Sequence, residues 1–303
     1  MIEGVMFQGQ KVNVTAVRRK NNEISFYEVP RKDVKWLTFL KKIPLLRGLV
    51  GIIESSAKGA THLNFSAEKY AEDEEGPQEE QQAKKSGWDL SMILGVAVVG
   101  VLSFVFSKII FTAGPAVLEE FLFGRLFENQ VIHTIIEGII KIIALLAYLW
   151  IISMTPLIKR LFQYHGAEHK VISAYEAGAE LTVENVQKFT RLHYRCGSSF
   201  MVLTVIIGVI IYSMFSYDGL VDRVLIRLML LPVVIGVSYE FLKITNALRD
   251  VPVLRFLGYP GLWLQLLTTK EPSDDQVEVS IASFKRMKEL DRELNTPKVN
   301  MVS

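Results

Sequence analysis

Residues 90 to 107 (LSMILGVAVVGVLSFVFS) carry no charged side chain, and residues 198 to 217 (SSFMVLTVIIGVIIYSMFSY) repeat that pattern. Runs of this length approach the roughly 20 apolar residues an α-helix needs to cross a hydrocarbon core. Two further segments are long enough but bear charges. Val131 to Pro156 contains His133, Glu137 and Lys141, and Val224 to Leu242 contains Arg227 and Glu240. The expectation is a mainly α-helical, polytopic membrane bundle of about four spans. Half of the 303 residues are hydrophobic, which agrees with that class.

The formal net charge of +2 offers nucleic acid no electrostatic footprint. One cysteine, Cys196, excludes an internal disulfide and fits a reducing compartment. The first forty residues lack the apolar core of a cleavable signal peptide, so insertion is expected to use the internal segments. Lysine and arginine set the orientation. The connection from Thr112 to Gln130 contains Arg125 alone, and that from Asp218 to Arg223 contains Arg223 alone, whereas the loop from Leu157 to Gly197 contains six basic residues. The basic loop and both basic termini are therefore expected on the cytoplasmic side.

Four segments follow. Residues 1–67 should hold a β-hairpin, with Val12, Val14 and Ala16 alternating up to a Lys20-Asn21-Asn22 turn, and then an amphipathic helix from Trp36 to about Ala60. Residues 68–88 read as a flexible acidic linker. Residues 89–243 form the bundle with its loop at 157–197. Residues 244–303 hold an interfacial segment, with a turn at Tyr259-Pro260-Gly261-Leu262-Trp263, and a helix opened by a Ser273/Gln276 capping box. Pro115 to Phe127 reads as an interfacial helix on the outer side.

Chemistry concentrates at His165-Gly166-Ala167-Glu168-His169. One helical turn separates the two histidines, so their imidazoles can reach one point, as a zinc-like ion requires. Glu168 between them is placed as a general base, in the H-x-x-E-H spacing of inverted zincins. His193, on a helix capped by Thr182, supplies a third ligand, and Cys196 a fourth. The metal would be zinc, with manganese or iron as alternatives. A purely structural cluster explains the same residues: histidines hydrogen-bonded to loop carbonyls and a cysteine acting as a small buried hydrophobe.

His133, Glu137 and Lys141 lie four residues apart, on one face of the second span. Charges there must face the bundle interior, an oligomer interface or a wet cavity, and an ion pair that fixes helix packing is the simpler reading. Glu54, Lys58 and His62 repeat the spacing and read as a solvated helix face.

With these motifs the chain resembles the YqhQ-like family of bacterial membrane proteins. The likeness runs through Ile2-Glu3-Gly4-Val5-Met6, Pro44-Leu45-Leu46-Arg47-Gly48, the His165 to Lys170 motif, Arg195-Cys196-Gly197-Ser198-Ser199-Phe200 and Pro260-Gly261-Leu262-Trp263-Leu264-Gln265. Here Tyr194 follows His193 where the family pattern has proline. The resemblance implies a multi-pass protein of the bacterial cytoplasmic membrane and a metal-dependent enzyme with its site at His165, Glu168, His169, His193 and Cys196. Two functions stay open: a metal-dependent hydrolase at the membrane surface, or a non-catalytic, homo-oligomeric scaffold that assists other membrane proteins or organises lipid. A transporter using the His133 face is a third.

Overall fold

The computed structural model describes residues 1–31, 35–75, 110–194 and 196–295. It is mainly helical with a three-stranded antiparallel sheet, β1 (Gly4–Gln8), β2 (Val12–Arg18) and β3 (Ile24–Pro30), in the order β1-β2-β3. The expected hairpin is present, and β1 adds a strand to it, pairing Phe7 with Val14. Asn22 turns the corner at φ 67°, a conformation asparagine tolerates better than most residues.

Strand β2 is buried on both faces, which period-two patterning did not anticipate. One face meets the C-terminal helix α10 (Asp274–Asn295): Phe284 packs edge-on against Phe7 at 5.0 Å, and Ser283 Oγ donates to the carbonyls of Val5 and Val14. The other meets helix α2 (Leu46–Glu75), where His62 Nδ1 and Thr15 Oγ1 lie 2.7 Å apart. The expected solvated face at Glu54, Lys58 and His62 is thus corrected at His62, which the sheet covers completely. The acidic stretch expected as a linker is helical as far as Glu75. Arg19 pairs with Glu72 and Asp73, and Lys20 with Glu74, so acids that would repel along a free chain are tied to the β2–β3 turn. The rest of that stretch lies outside the described residues.

Helix α10 forms one half of its expected capping box, the Ser273 amide donating to Gln276 Oε1 at 3.0 Å. At its far end Asp291 accepts from the amides of Gln10, Lys11 and Val12 at 2.7, 2.8 and 3.2 Å. Bonds to a charged acceptor contribute about 1.5–3 kcal/mol, and water can reach two of these amides once the carboxylate is gone. Asp291→Ala is expected to destabilise by about 2 kcal/mol in chemical denaturation. An unchanged midpoint would mean the β1–β2 turn holds without it.

The central basic loop joins this core. Helix α5 (Pro156–Glu176) opens the loop expected at 157–197, and starts with proline, whose missing N–H has no helical partner at that position. Thr182 caps the next helix, α6 (Val183–Gln187), which stops after five residues rather than running on to His193. Val14 of the sheet, Val171 and Ala174 of α5, Val186 of α6, and Val277 and Phe284 of α10 share one hydrophobic core.

The remaining helices are richer in apolar residues. Residues 110–123 form α3; α4 is Gln130–Ser153, α7 Ser198–Tyr212, α8 Leu220–Ala247 and α9 Tyr259–Thr268. Among the described residues, α4 alone is long and apolar enough to cross a membrane. The run expected at 198–217 is helical only to Tyr212, and the run at 90–107 lies outside the described residues. The expected turn at Tyr259 to Trp263 is the first turn of α9, with Pro260 where its missing N–H is harmless. Gly261 lets α9 approach α7 closely, since a Cβ there would fall 2.4 Å from that of Ser199.

The charged stripe on α4 is buried and more extensively paired than its sequence spacing implied. Lys141 Nζ lies 2.9 Å from Glu137 Oε1, and Arg223 and Arg227 of α8 also reach the Glu137 carboxylate. His133 Nδ1 lies 2.6 Å from Glu119 Oε1, whose other oxygen accepts from Arg223 at 2.7 Å. The α3 helix expected at the interface thus places one acid, Glu119, wholly inside.

Candidate metal centre

His165 and His169 stand one turn apart on α5, their ring centres 4.4 Å apart. A carbonyl oxygen can only accept, so the hydrogen on each Nδ1 is set by what it faces. His165 Nδ1 lies 2.8 Å from the Thr268 carbonyl and His169 Nδ1 2.6 Å from that of Arg191. Both imidazoles therefore carry their proton on Nδ1 and present a lone pair from Nε2. This backbone tether is what orients a metal-binding histidine.

The third donor comes from the chain entering α7. Cys196 Sγ lies 3.3 Å from His165 Nε2, and one donor atom from each of His165, His169 and Cys196 falls within 4.8 Å of the others. Burial opposes a thiolate at Cys196, but hydrogen bonds to His165 and His169 outweigh it and bring the thiol down to about 5. Burial likewise opposes a charged His165, and Cys196 outweighs it, raising the imidazole to about 9. Each of the two groups thus favours the charged form of the other. Desolvation pushes the Glu168 carboxyl up, against the pull of His165 and His169.

Two loops are pinned over the helix to make this arrangement. Gln265 clamps the backbone of His193, accepting from its amide and donating to its carbonyl, both at 2.8 Å. Arg191 donates to the carbonyl of Thr269 at 2.8 Å, and buried Lys170 holds Glu271 at 2.9 Å and the Gln187 carbonyl at 2.9 Å. The segment through Lys270 crosses α5 at Gly166, where a Cβ would sit 2.2 Å from the Lys270 carbonyl oxygen.

The structure brings His165, His169 and Cys196 together and places Glu168 beside them. His193 lies next to this trio: its ring centre is 5.8 Å from that of His169 and its Nε2 is 3.5 Å from Glu176 Oε2. A cavity of about 290 Å³ opens alongside, bounded by His165, Glu168, Val5, Met6, Phe162 and Tyr164. Sequence reasoning did not identify Gln265, Arg191, Thr268 or Gly166. Gly166 offered a signal, because a glycine inside a helix costs about 1 kcal/mol unless another backbone must pass there.

The donor set fits a borderline-soft divalent ion. Tetrahedral ligation by bonds of roughly 2.0–2.3 Å places donor atoms roughly 3.3–3.8 Å apart, so a closing movement of about 1 Å suffices. The tethers to carbonyls alone would suit a structural cluster equally well; the convergence of two Nε2 atoms and a sulfur is what a structural cluster does not require.

A family model described as "Protein of unknown function (DUF1385)" matches residues 43–290. The chain is also similar to "Uncharacterized protein YqhQ" of Bacillus subtilis (strain 168), with 51% identity over 305 residues that cover 100% of this chain and 96% of the relative. No solved structure matches. The chain belongs to the DUF1385 family, and its likeness to YqhQ runs along its whole length.

Proposed function

We propose that this is a multi-pass membrane protein whose His165, His169 and Cys196 hold a divalent transition metal, and that it acts as a metal-dependent hydrolase on the cytoplasmic side of the bacterial membrane. The observation that carries the reading is the set of three donor atoms within 4.8 Å, two of them aimed by backbone carbonyls. Three protein ligands leave one position open, the pattern of catalytic rather than structural zinc sites. A bound ion would supply Lewis-acid chemistry, polarising a substrate oxygen and activating water. Glu168, on the wall of the adjoining cavity, accepts the proton that water gives up. Val5, Met6 and Phe162 provide an apolar wall for the substrate, and Tyr164 a hydroxyl at its edge.

Zinc is expected at one equivalent in protein purified without chelators, measured by plasma mass spectrometry. His165→Ala with His169→Ala should lower it at least 10-fold, because one thiolate cannot hold the ion at useful affinity. Glu168→Gln should keep its zinc, which separates a base from a ligand. A metal-free wild-type protein of uniform oligomeric state would overturn the hydrolase and favour the scaffold.

The membrane reading rests on α4, whose Ile139, Ile143 and Trp150 are all more than half exposed, together with the apolar α7. With one native cysteine, buried, labelling backgrounds are low. Cysteines introduced at Arg125 and Asp218 should react with an impermeant maleimide in intact cells, and one at Glu68 should not. The reverse pattern would invert the topology and place the metal centre outside.

A further inference from the structure

The second polar centre of the molecule, inside the helical bundle, has no part in the metal chemistry. Lys141, Arg223 and Arg227 all lie against Glu137, and Arg223 also holds Glu119. Among the described residues three cationic side chains thus meet two fully buried carboxylates, an excess of one positive charge. Glu120, the remaining nearby acid, is half exposed and reaches Arg223 alone among the described residues, at 3.6 Å. The excess is not distributed evenly. Lys141 and Arg227 line a cavity of about 390 Å³, and Arg223 does not. The aromatic ring of Tyr212 faces both side chains, 5.8 Å from Lys141 Nζ and 5.5 Å from the Arg227 guanidinium, and steadies them at the cavity wall.

The rest of the cavity is mostly apolar, Thr112 and Thr204 excepted, and its charged groups gather at one end. Along α4 the lining passes from Thr134, Glu137 and Lys141 to Ala144 and Leu145. Along α8 it passes from Arg227 to Leu231, Val234 and Ile235. Helix α7 runs antiparallel and shows the same change from its other end, from Tyr212 to Val205 and then Phe200. A site with its cationic groups at one end and hydrocarbon along the remainder matches a ligand built the same way. The volume lies within the roughly 300–1,000 Å³ of small-molecule sites. Uncompensated charge in a membrane interior is costly, so an anion there completes the pairing that Glu137 leaves unfinished.

We propose that this cavity binds an anionic amphiphile, its carboxylate or phosphate held by Lys141 and Arg227 and its acyl chain lying between α4, α7 and α8. The full-length protein in neutral detergent is incubated separately with oleate, dioleoylphosphatidylglycerol and dioleoylphosphatidylcholine, and bound mass is read by native mass spectrometry. Retention of oleate or of phosphatidylglycerol identifies the carboxylate or the phosphate source. The zwitterionic lipid should be retained at least about 10-fold less. Lys141→Gln leaves Glu137 paired with two arginines and should lower retention about 10-fold. Leu231→Trp fills the apolar end without touching a charge, and should lower retention to a similar extent whatever the stability of the lysine variant. Equal retention of all three lipids, or wild-type retention in both variants, would overturn the site. Displacement by millimolar inorganic phosphate would overturn the amphiphile, because it would show that the charged end alone accounts for binding.

Discussion

Glu137→Gln should produce the largest loss of stability of any single substitution in the helical bundle. The side chain is 1% exposed and is the common partner of Lys141, Arg223 and Arg227. Glutamine preserves shape and one acceptor oxygen but removes the charge, so three cations are left with Glu119 alone, and Glu119 already serves Arg223 and His133. Removing one partner from a buried ion pair costs about 3–5 kcal/mol, against a total stability of about 5–15 kcal/mol for a typical domain. At roughly 2–4 °C per kcal/mol, the melting temperature in detergent should fall by about 6–20 °C. The desolvation penalty of the cations dominates here, so adding Arg227→Met to Glu137→Gln should recover part of the loss rather than deepen it. A double-mutant cycle by differential scanning fluorimetry tests the coupling. Losses that simply add would show that the arginine and the carboxylate occupy separate, solvated environments.

Gly166→Ala sets two effects against each other and shows which is larger. Alanine raises helix propensity by about 1 kcal/mol in an unobstructed helix. Its Cβ, however, would stand 2.2 Å from the Lys270 carbonyl oxygen and 3.3 Å from the carbon, both backbone atoms with no rotamer to change. The Lys270 segment cannot retreat freely, because its amide donates to the Phe162 carbonyl at 2.9 Å and the nearby Thr268 carbonyl accepts from His165. Overpacking of this kind costs about 1–3 kcal/mol, so net destabilisation is expected despite the better helix former. The displaced segment also frees His165 to turn. Loss of such an orienting partner typically lowers metal affinity 10–100-fold, which competition with a chromophoric chelator would register. An alanine variant of unchanged stability and zinc affinity would show that the 268–272 strap does not set the imidazole.

Much of this molecule is local in origin and was legible as such. The bounds of α4, the Gln276 contact at Ser273, the asparagine turn and the pairing of Glu137 with Lys141 depend on residues a few positions apart. Periodicity and capping chemistry report directly on neighbours of that kind. The spacing of His165 and His169 belongs with them, since one helical turn suffices to aim both at one point. The selection among Cys196 and His193 does not. Cys196 reaches His165 across 31 residues because Gln265, 72 residues from His193, clamps the intervening backbone, and because Gly166 admits the Lys270 segment over the helix. The burial of His62 and Glu119 is of the same type, imposed by a sheet and by an arginine far away along the chain. Sequence alone determined several of the long helices and where the donor atoms are concentrated. Tertiary structure decided which donors meet, because side-chain direction over a distance of tens of residues is set by backbone hydrogen bonds and close approaches that no local pattern encodes.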